Sequence, residues 1–120
     1  MIDRIDHIEI VSSNAEEMVD FLKLLGLKEH RSTDHHGKSY ELQVGDDGPL
    51  FEIHTVEREE IPGINHIAFA VDDIDEYTAE LREAGFETID DPHYIDPTGR
   101  VVTSVRGPDG RRFQLVADEN

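Results

Sequence analysis

Residues Ile5–Ile10 read IDHIEI and residues Ile64–Phe69 read INHIAF. Both alternate apolar and polar residues, the period of a strand with one covered face. Each places a histidine, His7 or His66, on the face opposite its branched aliphatics. The two histidines are 66 − 7 = 59 residues apart. With that shift the second half of the chain lies over the first, Leu22 meeting Leu81 and Gly26 meeting Gly85 without a gap. Self-similarity at this length marks one supersecondary unit used twice.

Each unit carries the same parts. A strand comes first, about 4–11 and 63–71. A helix follows, opened by a Ser13–Glu16 capping box in the first unit and by Asp73 in the second. Met18, Phe21, Leu22 and Leu25 give the first helix its apolar stripe; Tyr77, Leu81 and Ala84 give the second one. Gly26 and Gly85 stand where a left-handed residue ends a helix. Three short strands then follow in each unit, at about 28–33, 38–44 and 50–56, and at about 86–89, 100–106 and 111–117. The turns DHHG, GDDGP, DPTG and PDG separate them. The expected fold class is α+β, with two tandem βαβββ modules. It is read as a single domain over 1–120. Module one covers about 1–58, a polar linker about 57–63 and module two about 63–120.

The bulk composition narrows function. The chain has 120 residues, 28 acidic and 11 basic, for a formal net charge of −17. Such a field repels phosphate backbones and anionic membrane surfaces, which argues against nucleic acid and membrane as partners. The acidity serves solubility or adaptation to high salt. The sequence has no cysteine, hence no thiolate metal site and no cysteine nucleophile. The N-terminus lacks the pattern of a secretory signal and no apolar run is of spanning length, so the expected location is cytoplasmic.

Alternation also places the candidate site. His7 and Glu9 share one face of the first strand. Glu52 and His54 share one face of FEIH, as Gln114 does with Val116 in FQLV. Each module thus offers a pair, His7 with Glu52 and His66 with Gln114. If the sheets curve together, two imidazoles, a carboxylate and an amide suit one borderline divalent ion, Zn, Ni, Co, Mn or Fe(II). One or two positions would stay open for water or substrate. His54 faces the same way as Glu52, as a proton shuttle near its ordinary pKa or as a polar wall. Glu9 reads as a substrate-binding group, a second base or a hydrogen-bond partner of a histidine, or as a solvated charge on the rim. His35, His36, His30 and His93 receive no role.

RIDHIEIV, LLGL, LFEIHTV, GINHIAFAVDDID, LREAGF and GPDGRRFQLV together resemble the vicinal-oxygen-chelate superfamily. That group includes glyoxalase I, methylmalonyl-CoA epimerase, extradiol dioxygenases and bleomycin-binding proteins. The resemblance spans nearly the whole chain, and it implies that the two modules form a curved, cup-shaped mixed sheet, the glyoxalase-like fold. It implies metal ligands on the first and last strands of each module, here His7, Glu52, His66 and Gln114. Many relatives have glutamate where this chain has Gln114, and that departure argues against a ring-cleaving dioxygenase. The resemblance implies a metal-dependent lyase or isomerase of the glyoxalase-like kind. Such an enzyme stabilises an enediolate or enolate of a small oxygenated carbonyl substrate, and Glu52 is both ligand and base candidate. It also implies a homodimer. The alternative in a different class is a metal-free small-molecule binder of the antibiotic-resistance type.

Overall fold

The computed structural model describes residues 2–118. The elements run β1 (Ile2–Ser12), α1 (Ala15–Leu25), β2 (Lys28–Thr33), β3 (Ser39–Gln43) and β4 (Leu50–Thr55), then β5 (Gly63–Val71), α2 (Ile74–Glu83), β6 (His93–Ile95), β7 (Arg100–Arg106) and β8 (Arg112–Ala117). The expected βαβββ order occurs twice. The described residues form two compact units, 7–65 and 66–118, the latter together with residues 2–6.

In the first unit the sheet order is β2-β3-β4-β1. β1 and β4 run parallel, while β3 is antiparallel to both β4 and β2. One face of this sheet is covered by α1. Ala15, Val19 and Leu22 pack with Leu42 and Ile53, joined by Ile10, Met18, Tyr40 and Phe51. This corrects the expected helix stripe. Leu22 and Met18 belong to the buried face, but Phe21 and Leu25 are 54% and 65% exposed. The small residues Ala15 and Val19 let the helix lie close to the sheet, and the larger side chains point away.

The helix start also shifts by one residue. Asn14, not Ser13, is the N-cap, and its side chain accepts from the Glu17 backbone N–H at 3.2 Å. Ser12 secures the cap instead, its hydroxyl accepting from the Asn14 backbone N–H at 3.1 Å. Gly26 ends the helix at φ 110°, a left-handed conformation that costs glycine nothing.

The second unit repeats the plan in the order β5-β8-β7-β6. β5 and β8 are parallel, and β7 is antiparallel to β8 and β6. Under α2, Val71, Ile74 and Leu115 are buried, with Phe69, Tyr77 and Leu81 against them. Asp73 caps the helix as expected, accepting from the Glu76 N–H at 3.0 Å. The strand expected at 86–89 is reduced to one bridge, Thr88 to Val105. Its place at the sheet edge falls to β6, in a stretch that reads as a polar turn. Asp90 explains the difference: its carboxylate accepts from the Ser104 backbone N–H at 3.0 Å, and its carbonyl accepts from the Thr103 hydroxyl at 2.7 Å. Those bonds occupy groups a longer edge strand would need.

Candidate functional site

The face of the first sheet turned from α1 is built from alternate residues of four strands. Glu9 is in register with Glu52, Glu52 with Glu41, and Glu41 with Arg31. Three carboxylates therefore stand in one row across adjacent strands, about 4.8 Å from one strand to the next. They are 3%, 2% and 0% exposed. Buried carboxylates of this kind are tolerated only with compensating partners. Arg31 donates to Glu41 through both Nε and Nη2, at 2.8 and 3.3 Å, closing one end of the row.

At the other end Glu9 meets His54 from the next row. His54 is fully buried, with Nδ1 3.3 Å from Glu9 Oε1 but not aligned for a hydrogen bond. Its Nε2 lies 3.0 Å from Glu60 Oε1. Burial pulls the His54 pKa down, but the two carboxylates outweigh it and hold it up at about 9. At neutral pH this favours the imidazolium form of the ring.

His7 is buried on the same face, one row before Glu9. In the second unit, Ala68 is in register with Gln114 and Gln114 with Ser104. His66 and Gln114 are both buried on that face. Each unit thus buries one histidine and one oxygen donor of the expected set, His7 with Glu52 on β1 and β4, and His66 with Gln114 on β5 and β8. Imidazole, carboxylate and amide oxygen are donor types that a borderline divalent ion accepts.

Two groups of residues escape the sequence reading. Glu41 carried a readable signal, since it is an acid between Tyr40 and Leu42 in a strand, the same pattern as Glu9 between Ile8 and Ile10. His36 and Glu60 carried none, because their roles come from contacts made by loops. His36 Nδ1 lies 3.3 Å from Glu57 Oε1, and its ring stacks on His54 with centroids 4.6 Å apart. A cavity of about 360 Å³ is lined by His36, Glu57, Arg58 and Glu60.

The model of the Glyoxalase/Bleomycin resistance protein/Dioxygenase superfamily matches residues 4–115. The chain belongs to this superfamily. No curated protein matches the sequence. Among solved structures, a hypothetical protein from Bacillus halodurans C-125 is similar at 23% identity and a TM-score of 0.82, covering 98% of this chain and 95% of that one. Streptomyces coelicolor methylmalonyl-CoA epimerase, in complex with 2-nitronate-propionyl-CoA, is similar at 25% identity and a TM-score of 0.78, with both chains covered fully. Methylmalonyl-CoA epimerase from Mycobacterium tuberculosis is similar at 17% identity and a TM-score of 0.83, covering 99% of this chain and 90% of that one. The glyoxalase-like fold that the resemblance implies is therefore the fold of this chain.

Proposed function

We propose that this member of the superfamily is a metal-dependent isomerase. On this reading it takes a proton from the carbon beside a carbonyl group of a small oxygenated substrate, and a proton returns to the opposite face of that carbon or to the neighbouring carbon. The observation that carries the reading is the buried row Glu9–Glu52–Glu41, with His7 on the same face. A buried run of carboxylates is costly to keep, and proton transfer next to a carbonyl is chemistry that needs one as a base. The likeness to epimerases supports an isomerase over a lyase.

His7, Glu52, His66 and Gln114 would hold the ion. When bound, a divalent ion supplies a positive charge that polarises the substrate carbonyl and favours its enolate. The proton transfers belong to the chain. Glu52, as a ligand, would have to detach before acting as a base. Glu41 sits one strand away and is free of that conflict, so it is assigned the proton transfer, with Arg31 fixing its orientation through two hydrogen bonds. Glu9 is committed to His54, and that pair shapes the wall beside the acids. The proton-transfer role, expected of Glu52 and His54, is thereby assigned to Glu41, and His54 becomes a positioning residue.

Metal content, measured by mass spectrometry, should fall in His7→Ala and Glu52→Ala relative to wild type. Hemithioacetal isomerisation and thioester epimerisation, followed by deuterium uptake from D2O, should detect activity in wild type. Glu41→Gln should lower it at least about 100-fold, the lower end of the range for removing a general base, with metal content unchanged. Wild-type activity on neither substrate class, or full exchange in Glu41→Gln, would overturn the reading.

A further inference from the structure

Outside the row of acids, one cluster in the first unit is unexplained by the proposed reaction. One donor atom each from His36, His54 and Glu57 lies within 4.8 Å of the others. Glu60 reaches the same histidine, 3.0 Å from His54 Nε2, and its Oε1 accepts from the Glu57 backbone N–H at 2.9 Å. The residues come from three places: the β2–β3 turn, strand β4 and the segment that follows it. Nothing in the sequence spacing brings them together.

Three observations separate this cluster from an ordinary surface ion pair. His54 is fully buried, and its Nδ1, although 3.3 Å from Glu9 Oε1, makes no aligned hydrogen bond. Buried polar nitrogens are rarely left so, and each such case asks for a ligand or a function. Among the described residues, the only non-glycine residues at positive φ are His36 at 55° and Arg58 at 53°. Both line the same cavity, beside Glu57 and Glu60. Left-handed backbone in branched or bulky residues persists where surrounding contacts enforce it, and it gathers at binding sites. Finally, the donor set is two imidazoles with carboxylates, the chemistry of a borderline divalent ion, and the chain's field of −17 draws cations in.

We propose that His36, His54 and Glu57, with Glu60 alongside, form a second divalent-cation site, separate from His7, Glu52, His66 and Gln114. A zinc-class ion there would clip the β2–β3 turn to the segment after β4. Binding requires His54 to release one ring proton to solvent, as metal sites commonly demand of their ligands. It also requires the two rings to leave their stack, which has an interplanar angle of 23°, because ring lone pairs lie in the ring plane. His36 has room to turn, being 38% exposed on a loop, whereas His54 is held in the sheet.

The test is zinc stoichiometry by native mass spectrometry and calorimetry on chelator-stripped full-length protein. Wild type should take two ions. His7→Ala should keep one, and His7→Ala combined with His36→Asn should keep none. Asparagine removes the imidazole while tolerating left-handed backbone, so the turn survives. Zinc should raise the melting temperature of His7→Ala but not of the double variant, and His93→Ala should behave as wild type. If wild type takes one ion and His7→Ala still takes one that His36→Asn abolishes, the second site stands and the four-residue site fails. If His36→Asn and Glu57→Gln leave zinc binding unchanged, or if His7→Ala binds none, the second site is overturned.

Discussion

Where the first module sets Glu9, Glu52 and Glu41 across its sheet, the second sets Ala68, Gln114 and Ser104. The neighbouring rows diverge in the same way. Val11, His54 and Ser39 stand in one module, and Ala70, Val116 and Val102 in the other. Backbone plan and register are shared, but the buried ionisable groups are concentrated in one copy. The second copy fills the equivalent space with a small apolar cluster of Ala68, Val102 and Val116, backed by Ile95. The difference teaches that the fold does not need the acids. A repeat that works with alanine, valine and glutamine shows that the first module keeps its carboxylates at a cost to stability, and a site is the usual reason for such a cost.

The largest break of this asymmetry should come from pH. The folded pKa of His54, about 9, lies above its ordinary value near 6.5. A raised histidine pKa means that the folded state binds the proton more tightly than the unfolded chain does. The resulting stability is fully present below about 6.5 and is lost as pH rises through 9. At about 1.4 kcal/mol per pKa unit, roughly 3 kcal/mol is at stake. Urea unfolding of metal-free protein at pH 6 and pH 9.5 should show that loss in wild type. His54→Gln should show a flatter profile, with lower stability at pH 6. An equal pH dependence in both proteins would assign it to other groups.

A smaller effect should follow from Arg31. Arg31→Met leaves Glu41 buried without its guanidinium, and breaking a buried pair is costly because the remaining charge stays desolvated. Arg31 is itself 39% exposed, so the loss should be near 2 kcal/mol, below the roughly 3–5 kcal/mol of fully buried pairs. The contrast is Arg112 in the second module, which donates to the neutral hydroxyl of Ser104 at 3.0 and 3.1 Å. Arg112→Met should cost about 1.5 kcal/mol, the low end for a hydrogen bond with one charged partner. Denaturant midpoints of the two variants should differ in that order, and the difference should vanish in an Arg31→Met, Glu41→Leu double variant.

The sequence carried the repeat, both first strands and the division of faces, because strand alternation and helix periodicity are local signals that a single chain displays. It placed Glu9, Glu52, His54 and Gln114 on the faces they occupy. It failed where tertiary contacts decide. The buried stripe of α1 uses Ala15 and Val19 over Phe21 and Leu25, since distance to the sheet outranks side-chain size. The edge strand moved to β6 because Asp90 takes backbone partners from β7. The His36–His54–Glu57 cluster lay beyond reach, since a left-handed turn and a linker had to be placed in space before their side chains could meet.

The helix starts give the smallest predicted effects and the sharpest control on the comparison, since here the modules should behave alike. Asn14 and Asp73 each accept one backbone N–H of the first helical turn, from Glu17 at 3.2 Å and from Glu76 at 3.0 Å. Neither cap touches the acid row or its apolar counterpart. Replacing either with alanine leaves a donor to water and should cost about 1 kcal/mol. Asp73 adds a negative charge at the positive end of the helix dipole, so Asp73→Ala should exceed Asn14→Ala by a few tenths of a kcal/mol at low salt. Asn14 offsets part of that deficit through its amide, which donates to Glu17 Oε1 at 3.2 Å. Adding salt should draw the two values together, because screening acts on the charged cap and leaves the neutral one unchanged. If Asn14→Ala instead cost several times more than Asp73→Ala, the two modules would differ in how their helices are held as well as in what their sheets bury. The asymmetry would then extend to the scaffold and could no longer be ascribed to the acids alone.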